Sequence, residues 1–293
     1  MEIELYLKQR KELVDDALDR FLPPKKTYPD IIHDSIRYSI FAGGKRLRPI
    51  LTLAVGDVYH QDLSLFLPAA CALEMIHCYS LIHDDLPAMD DDEYRRGKLT
   101  NHKVYGEAMA VLAGDALLTM AFDVLSWDSV IDPQVTLKVI QEIAFASGTR
   151  GMIGGQVVDL KSEGRPVGAE TLDYIHRKKT GALINASVRV GGIIAGAAEA
   201  ELERLTRYGE CLGLAFQIID DILDIEGEEE KLGKKTGMDT WKEKATYPGI
   251  HGLSAAKEKV KELYNESLRA VEVFEARGEV LKILAHFLVN RDY

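Results

Sequence analysis

The segment 83–97, HDDLPAMDDDEYRRG, concentrates carboxylates. Two adjacent aspartates are followed by a spacer that contains proline and then by three more aspartates. Mg²⁺ prefers oxygen ligands, keeps several waters, and is commonly held by one or two carboxylates together with substrate phosphate oxygens. Because no cysteine or regular histidine spacing accompanies the aspartates, the pattern favours Mg²⁺ over Zn²⁺. A solvated acidic turn is the alternative, and the Arg95-Arg96 pair directly after the run argues against it.

A second group of oxygen-bearing side chains lies in 217–224. Gln217, Asp220, Asp221 and Asp224 are spaced i, i+3, i+4, i+7, so they share one face of a predicted helix. Like charges at this spacing destabilise an isolated helix by about 0.2–0.5 kcal/mol per pair. Three carboxylates there need open solvent or a cation. The flanking residues are mostly apolar and leave little room for a wet surface, so the stripe predicts a second metal site.

Basic residues are also grouped, although the net charge of the chain is negative. The groups are Lys45, Arg46 and Arg48 in GGKRLRP; Arg95 and Arg96; Lys178 and Lys179 beside Thr180; and Lys234, Lys235 and Lys244. Any one of them alone is typical of a solubilising surface. Guanidinium groups and backbone N–H groups at a helix boundary also suit phosphate oxygens. Together with two aspartate groups, they predict two polyanionic ligands, one bound through Mg²⁺ and the other directly by Lys and Arg.

Composition excludes several classes of protein. With 36 basic and 47 acidic residues in 293, the formal net charge of −11 argues against nucleic acid as a partner. Three cysteines make a poor disulfide framework, and the reducing cytoplasm is the predicted location. The first 22 residues lack the basic start and continuous apolar run of a signal peptide. We expect no integral membrane segment, because no uncharged run approaches about 18 residues.

The elements that must position these groups are helices. Apolar residues recur with a period near 3.6, and alternating strand patterns are nearly absent, so we predict an all-α fold. No linker or fixed-period repeat divides the chain, which predicts a single domain over 1–293. The predicted helices are 2–20, 30–42, 47–60, 64–84, 105–126, 133–150, 170–196, 201–224, 254–276 and 278–290.

Seven motifs occur in an order that resembles the trans-isoprenyl diphosphate synthases, specifically the short-chain bacterial farnesyl or geranylgeranyl type. They are GGKRLRP, EMIHCYSLIHDDLPAMDDDEYRRG, LAGDALL at 112–118, GGQVVDL at 154–160, HRKKTGALI at 176–184, GLAFQIIDDILD at 213–224, and LGKKTG with WKEKATYP. The resemblance covers nearly the whole chain. It implies the isoprenoid synthase fold, a helical bundle around a central catalytic cavity, and a homodimer.

The resemblance also assigns roles to individual residues. The carboxylates that would hold the allylic diphosphate through several Mg²⁺ ions are Asp84, Asp85, Asp90, Asp220, Asp221 and Asp224. The side chains that would complete the allylic site are Arg95, Lys179, Gln217, Lys234 and Lys244. Those that would hold the diphosphate of isopentenyl diphosphate without metal are Lys45, Arg48, His77 and Arg96. Thr180 would lie near the cleaved bond. The implied catalytic set is Asp84, Asp85, Asp90, Arg95, Lys179, Thr180 and Asp220.

Product length is implied by the residue that forms the floor of the hydrocarbon pocket in this family. Tyr79 lies five residues before Asp84, and four residues separate Asp85 from Asp90. Both features resemble the farnesyl type and imply a C15 product. The small neighbours of Tyr79, Cys78 and Ser80, keep a C20 geranylgeranyl product open.

Three rival interpretations are weaker. A class I terpene cyclase needs no second diphosphate site, so the cations of GGKRLRP and Arg96 argue against it. A non-catalytic synthase subunit would have degraded motifs, whereas both aspartate groups here are complete. His83-Asp84 resembles the metal pair of helical phosphohydrolases, but that interpretation leaves the stripe over 217–224 unexplained.

Overall fold

The computed structural model describes residues 2–127, 131–226 and 245–290, and the predicted site residues Lys234 and Lys244 lie outside them. The fold is all-α, as predicted. The α-helices are α1 (Ile3–Phe21), α2 (Asp30–Ile40), α3 (Leu47–Val58), α4 (Leu67–Asp84), α5 (Asn101–Tyr105), α6 (Glu107–Ser126), α7 (Pro133–Ser147), α8 (Met152–Ser162), α9 (Ala169–Ile175), α10 (Ala182–Ala195), α11 (Glu199–Glu226), α12 (Tyr247–His251), α13 (Leu253–Val271) and α14 (Glu279–Val289). Shorter 3₁₀ turns cover Leu63–Leu65 and Glu272–Gly278.

The structure differs from the prediction in several segments, among them the short helices α5 and α12, which were not predicted. Helix α8 was missed because its paired glycines lower helix propensity. The predicted helix over 170–196 is interrupted by a π-helical segment, His176–Gly181, a distortion that often marks functional sites. A small antiparallel hairpin joins β1 (Tyr94–Arg95) to β2 (Lys98–Leu99) through Arg96 and Gly97. Both of these turn residues have positive φ, 54° and 74°, as a tight two-residue hairpin turn requires.

The chain forms two compact units, and the predicted single domain stays a prediction. Unit 1 comprises Met1–Leu53 and Asp62–Ile140. Its helix α4 is buried along most of its length and packs against α1, α2 and α6. Since α4 ends at Asp84, this packing fixes where the first aspartate segment begins.

Unit 2 comprises Ala54–Gln61 and Gln141–Tyr293. Its longest helix, α11, packs against α10, α13 and the π-helical segment. One side of α11 contributes Leu214, Ile218 and other apolar residues to a core shared with α13. Gln217 and Asp221, on another side of α11, face Thr180 and His176 of the π-helical segment.

Helix α6 is the one described helix that is long and apolar enough to cross a membrane by length and composition. This is weak support for a membrane span, because core helices of soluble proteins pass the same test. The helix packs against α2 and α4 within unit 1. The three cysteines, Cys71, Cys78 and Cys211, are buried and free.

Candidate active site

The backbone folds back on itself just after α4 and brings two of the predicted metal ligands together. The N–H of Asp90 donates to the carbonyl of Asp84 over 2.9 Å, and the N–H of Asp91 donates to the carbonyl of Leu86. Asp84 and Asp90 are both half-buried. Both residues therefore keep part of their surface open to solvent, which a cation arriving from solvent requires.

Asp85 is placed differently from its neighbour. Its carboxylate is buried, with the residue 3% exposed, and Oδ1 accepts from Nε of Arg95 over 2.7 Å. Arg95 also lies 3.5 Å from Asp92. Burial raises the pKa of Asp85, although the charge and hydrogen bond of Arg95 oppose this shift. The hairpin thus places Arg95 beside Asp85, and these two predicted site residues form an ion pair with each other.

The GGKRLRP loop precedes and enters α3. The guanidinium of Arg96 donates to the carbonyl of Gly43, so the hairpin turn touches the loop that carries Lys45 and Arg48. Arg46, which the sequence grouped with these cations, is instead buried and faces into the protein. The loop and the hairpin are thereby brought together within unit 1.

His77 lies on α4 near the same cations. Burial lowers its pKa well below the ordinary value, and the positive charges of Arg48, Arg96 and Arg95 lower it further. The imidazole is therefore neutral at pH 7. A neutral ring among guanidinium groups can donate one hydrogen bond to a phosphate oxygen without adding charge.

In unit 2, a cavity of about 130 Å³ gathers predicted residues from two elements. Its polar lining consists of Lys179, Thr180, Gln217 and Asp221, which were predicted, and Asp159 and His176, which were not. The sequence alone supplied the first four. The cavity lies between the π-helical segment, α8 and α11, all within unit 2.

A chain of hydrogen bonds crosses the cavity. The hydroxyl of Thr180 donates to Oε1 of Gln217 over 2.8 Å, and Nε2 of Gln217 donates to Oδ1 of Asp221 over 3.1 Å. Oδ2 of Asp221 accepts from the backbone N–H of Tyr247 over 2.7 Å and lies 3.4 Å from Nε2 of His176. Asp221 is therefore a buried organising carboxylate, whereas Asp220 beside it is half-buried and accessible.

Lys179 is held by Asp159 across the cavity. Its ammonium lies 2.6 Å from Oδ2 of the carboxylate. Helix α8 can approach so closely because Gly155 has no side chain, and a Cβ there would overlap the backbone of Lys179. The motif GGQVVDL contained the signal for Asp159, although its spacing alone does not indicate the partner. His176 gave no signal in the sequence, and burial lowers its pKa to about 4.

The described carboxylates fit Mg²⁺ that is bound together with substrate phosphate. Among the described residues, no three His, Cys, Asp or Glu side chains gather to hold a metal. Mg²⁺ needs only one or two carboxylates when substrate phosphate oxygens and water complete its octahedron. Asp84 with Asp90, and separately Asp220, can supply those oxygens. The direct metal roles predicted for Asp85, Asp221 and Asp224 stay predictions, and all three are buried.

Tyr79 lies inside unit 1 on α4, 5% exposed. Its ring meets that of His83 edge to face at 5.8 Å. The hydroxyl is buried and finds no hydrogen-bond partner in the described part of the chain. Burial, and after it the charge of Asp84, raises the pKa of Tyr79 to about 12. The side chain is thus a neutral, largely apolar wall close to the first aspartate segment.

A helical fold that carries half-buried carboxylates and clustered guanidinium groups is the arrangement expected of an all-α enzyme that acts on polyanionic substrates. A sequence model of one family, described as polyprenyl synthetase, matches residues 29–285. The chain belongs to this family and is a prenyltransferase.

Two known relatives and one solved structure match this chain over nearly their full length. A geranylgeranyl diphosphate synthase from Cyanophora paradoxa is 49% identical over 98% of this chain and 96% of its own. A farnesyl diphosphate synthase from Geobacillus stearothermophilus is 45% identical over 100% of this chain and 99% of its own. Among solved structures, an FPP/GFPP synthase from Zymomonas mobilis superposes with a TM-score of 0.87 at 35% identity, covering 98% of each chain.

Proposed function

We propose that this prenyltransferase joins isopentenyl diphosphate to dimethylallyl and then geranyl diphosphate, head to tail, and releases farnesyl diphosphate. The observation that carries the C15 product is the burial of Tyr79 on α4, near Asp84 and with its hydroxyl unsatisfied among the described residues. A buried aromatic ring of this kind suits contact with the end of a hydrocarbon chain. The hydrocarbon has no polar groups, so it loses no hydrogen bonds when it packs against the ring.

The allylic diphosphate is assigned to the aspartate groups and to the cavity of unit 2. Lys179 offers a charge-assisted donor, and the hydrogen bond from Thr180 to Gln217 orients both neighbouring side chains. Asp84, Asp90 and Asp220 would hold Mg²⁺ recruited with the substrate. When bound, the metal supplies positive charge that neutralises the departing diphosphate. Lys234 and Lys244 belong to the same proposal but lie outside the described residues.

Isopentenyl diphosphate is assigned to Lys45, Arg48, His77 and Arg96 of unit 1. The contact between Arg96 and Gly43 supports this grouping, and so does the effect of Arg48 and Arg96 on the pKa of His77. Guanidinium groups match phosphate oxygens in a forked geometry and do not require metal.

The proposed bond changes follow from binding the two diphosphates at separate groups of charged residues. The C1–O bond of the allylic substrate breaks, and its electron pair leaves with the diphosphate, which Lys179 stabilises. The double bond of isopentenyl diphosphate then attacks the electron-poor carbon, and a proton is lost. No described side chain is placed as an evident base, so the released diphosphate is the proposed acceptor. Positioning and electrostatics would supply most of the acceleration.

The proposal includes a homodimer in the cytoplasm. The buried free cysteines agree with a reducing compartment. A geranylgeranyl product is the second candidate, because a relative of 49% identity bears that name and because small residues flank Tyr79.

The decisive experiment incubates purified protein with Mg²⁺, isopentenyl diphosphate, and dimethylallyl, geranyl or farnesyl diphosphate separately. Chromatography of the dephosphorylated products should show farnesol from the first two primers and no elongation of the third. Geranylgeraniol from all three would establish the C20 alternative. A cyclic hydrocarbon made without isopentenyl incorporation would indicate a cyclase. No product from any primer would contradict the proposed activity.

A further inference from the structure

The side chain of Arg46 is tied to three helices of unit 1. Its Nε donates to Oδ1 of Asp15 over 2.7 Å, its Nη1 donates to Oε1 of Glu74 over 2.8 Å, and its Nη2 donates to the carbonyl of Ile40 over 2.7 Å. Asp15 belongs to α1, Ile40 ends α2, and Glu74 belongs to α4. One guanidinium therefore fixes the loop before α3 relative to three helices.

The two central charges are withdrawn from solvent, with Arg46 3% and Glu74 2% exposed. Burial alone lowers the pKa of Arg46, but Glu74 and Asp15 outweigh burial and hold that pKa above its ordinary value. A buried ion pair gains little over apolar residues of the same size, because desolvation offsets most of the attraction. The cluster therefore adds little to the net stability of the fold. Its three directional hydrogen bonds instead fix the orientation of the loop before α3.

The position of Arg46 in the chain gives that geometry a use. Arg46 lies between Lys45 and Arg48, in a backbone conformation with φ of 52°. Its partner Glu74 lies one helical turn before His77 on α4. The bond from Arg46 to Glu74 consequently connects the loop of Lys45 and Arg48 to the helix that carries His77.

We propose that Arg46, Glu74 and Asp15 form a positioning cluster for the diphosphate of isopentenyl diphosphate, touching no substrate themselves. The cluster holds Lys45 and Arg48 at a fixed offset from His77. This inference rests on the proposed function of Lys45, Arg48 and His77 as the residues that bind isopentenyl diphosphate. Without the cluster, the loop loses this charged hydrogen bond to α4, and the offset of Lys45 and Arg48 from His77 is less closely defined.

The first test replaces the central carboxylate by Glu74→Gln, which keeps the shape and removes the charge. The KM for isopentenyl diphosphate should rise about tenfold, since small misplacements of binding groups are costly. The KM for geranyl diphosphate should stay within about twofold, because the cluster has no role at the allylic site. Leu73→Ala is the matched control, as Leu73 is fully buried one residue earlier on α4. It creates a cavity but leaves the guanidinium and its partners in place.

Both variants are assayed at a temperature where circular dichroism shows them folded. An equal rise of the isopentenyl diphosphate KM in both would mean that general loosening of α4 is responsible, and it would overturn the positioning role. An unchanged KM in Glu74→Gln would overturn it too. Wild-type enzyme that turns over no isopentenyl diphosphate would overturn the proposed function and this inference together.

A second test removes both buried charges with the double variant Arg46→Met/Glu74→Leu. Apolar residues of similar volume commonly restore the stability lost by breaking a buried pair. If the cluster positions the loop, the KM for isopentenyl diphosphate stays raised although thermal stability recovers. Recovery of the wild-type KM together with stability would show that packing alone orients the loop, contrary to the proposal.

Discussion

The ammonium of Lys179 lies 2.6 Å from the carboxylate of Asp159, twenty residues earlier in the chain. Lys179 belongs to the π-helical segment and Asp159 to α8, and Gly155 permits the close approach of the two elements. A lysine has a long flexible stem with several rotatable bonds, so this ion pair selects one orientation of the ammonium before substrate arrives.

Replacing Asp159 by Asn should lower kcat/KM for the allylic diphosphate about tenfold, because an unanchored Lys179 must be ordered at each encounter. The KM for isopentenyl diphosphate should not change. Steady-state kinetics with each substrate varied in turn measures both effects. Asp173→Asn is the control, since it breaks the more exposed Arg177–Asp173 pair close by. A similar loss in both variants would contradict the role given to Asp159.

The neighbours Asp84 and Asp85 should respond differently to the same substitution. Asp84→Asn should abolish turnover and should cost less stability than Asp85→Asn, because Asp84 is half-buried whereas Asp85 is 3% exposed. Asp85→Asn should destabilise the protein by about 1–2 kcal/mol, because it leaves Arg95 without its buried partner. Urea denaturation beside turnover with Mg²⁺ separates the two outcomes. Equal stability losses would show that the two carboxylates have equivalent surroundings.

Mg²⁺ should stabilise the protein only together with diphosphate. Among the described residues, one or two accessible carboxylates form an incomplete site, and phosphate oxygens must complete it. The melting temperature should therefore stay constant with Mg²⁺ alone and rise by several degrees with Mg²⁺ and inorganic diphosphate together. Asp220→Asn should reduce the combined shift. A large shift with Mg²⁺ alone would indicate a preformed metal site instead.

Replacing Tyr79 by Ala should lengthen the product beyond C15. The substitution removes a buried wall on α4, and the longer hydrocarbon can fill the space. Products from dimethylallyl and geranyl diphosphate are compared by chromatography. Leu73→Ala opens a cavity on the same helix and should leave the product at C15. Unchanged product length in Tyr79→Ala would remove this residue from the determination of chain length.

Acidification should destabilise the protein through His77. Its pKa is lowered in the folded state by burial and by neighbouring arginines, so the unfolded chain binds more protons as pH falls below about 6.5. The stability contributed by the neutral ring is complete above that pH and declines below it, by up to about 1.4 kcal/mol for each pH unit. Denaturation curves at pH 7.5 and 5.5 measure the loss. His77→Gln should show a smaller loss than wild type, and an equal loss would contradict this assignment.

The sequence by itself determined the helical class and indicated which residue types could bind Mg²⁺ and diphosphate. Helical periodicity is a local property, so α1, α4 and α11 are predicted within a few residues of their observed bounds. The spacing of Gln217 and the aspartates likewise puts them on one face without knowledge of any neighbour. The hairpin at Arg96 was not predicted, because strands of two residues are too short to show an alternation of apolar and polar residues.

Only the tertiary structure decided how deeply each of these residues is buried and which element supplies the partners described above. Asp84 and Asp85 are identical in type and adjacent in sequence, yet one is accessible to solvent and the other is buried against Arg95. The pairs formed by Asp159 with Lys179 and by Arg46 with Glu74 join residues on different elements. Burial and pairing of this kind depend on how helices pack, and residue type and spacing along one chain do not specify it.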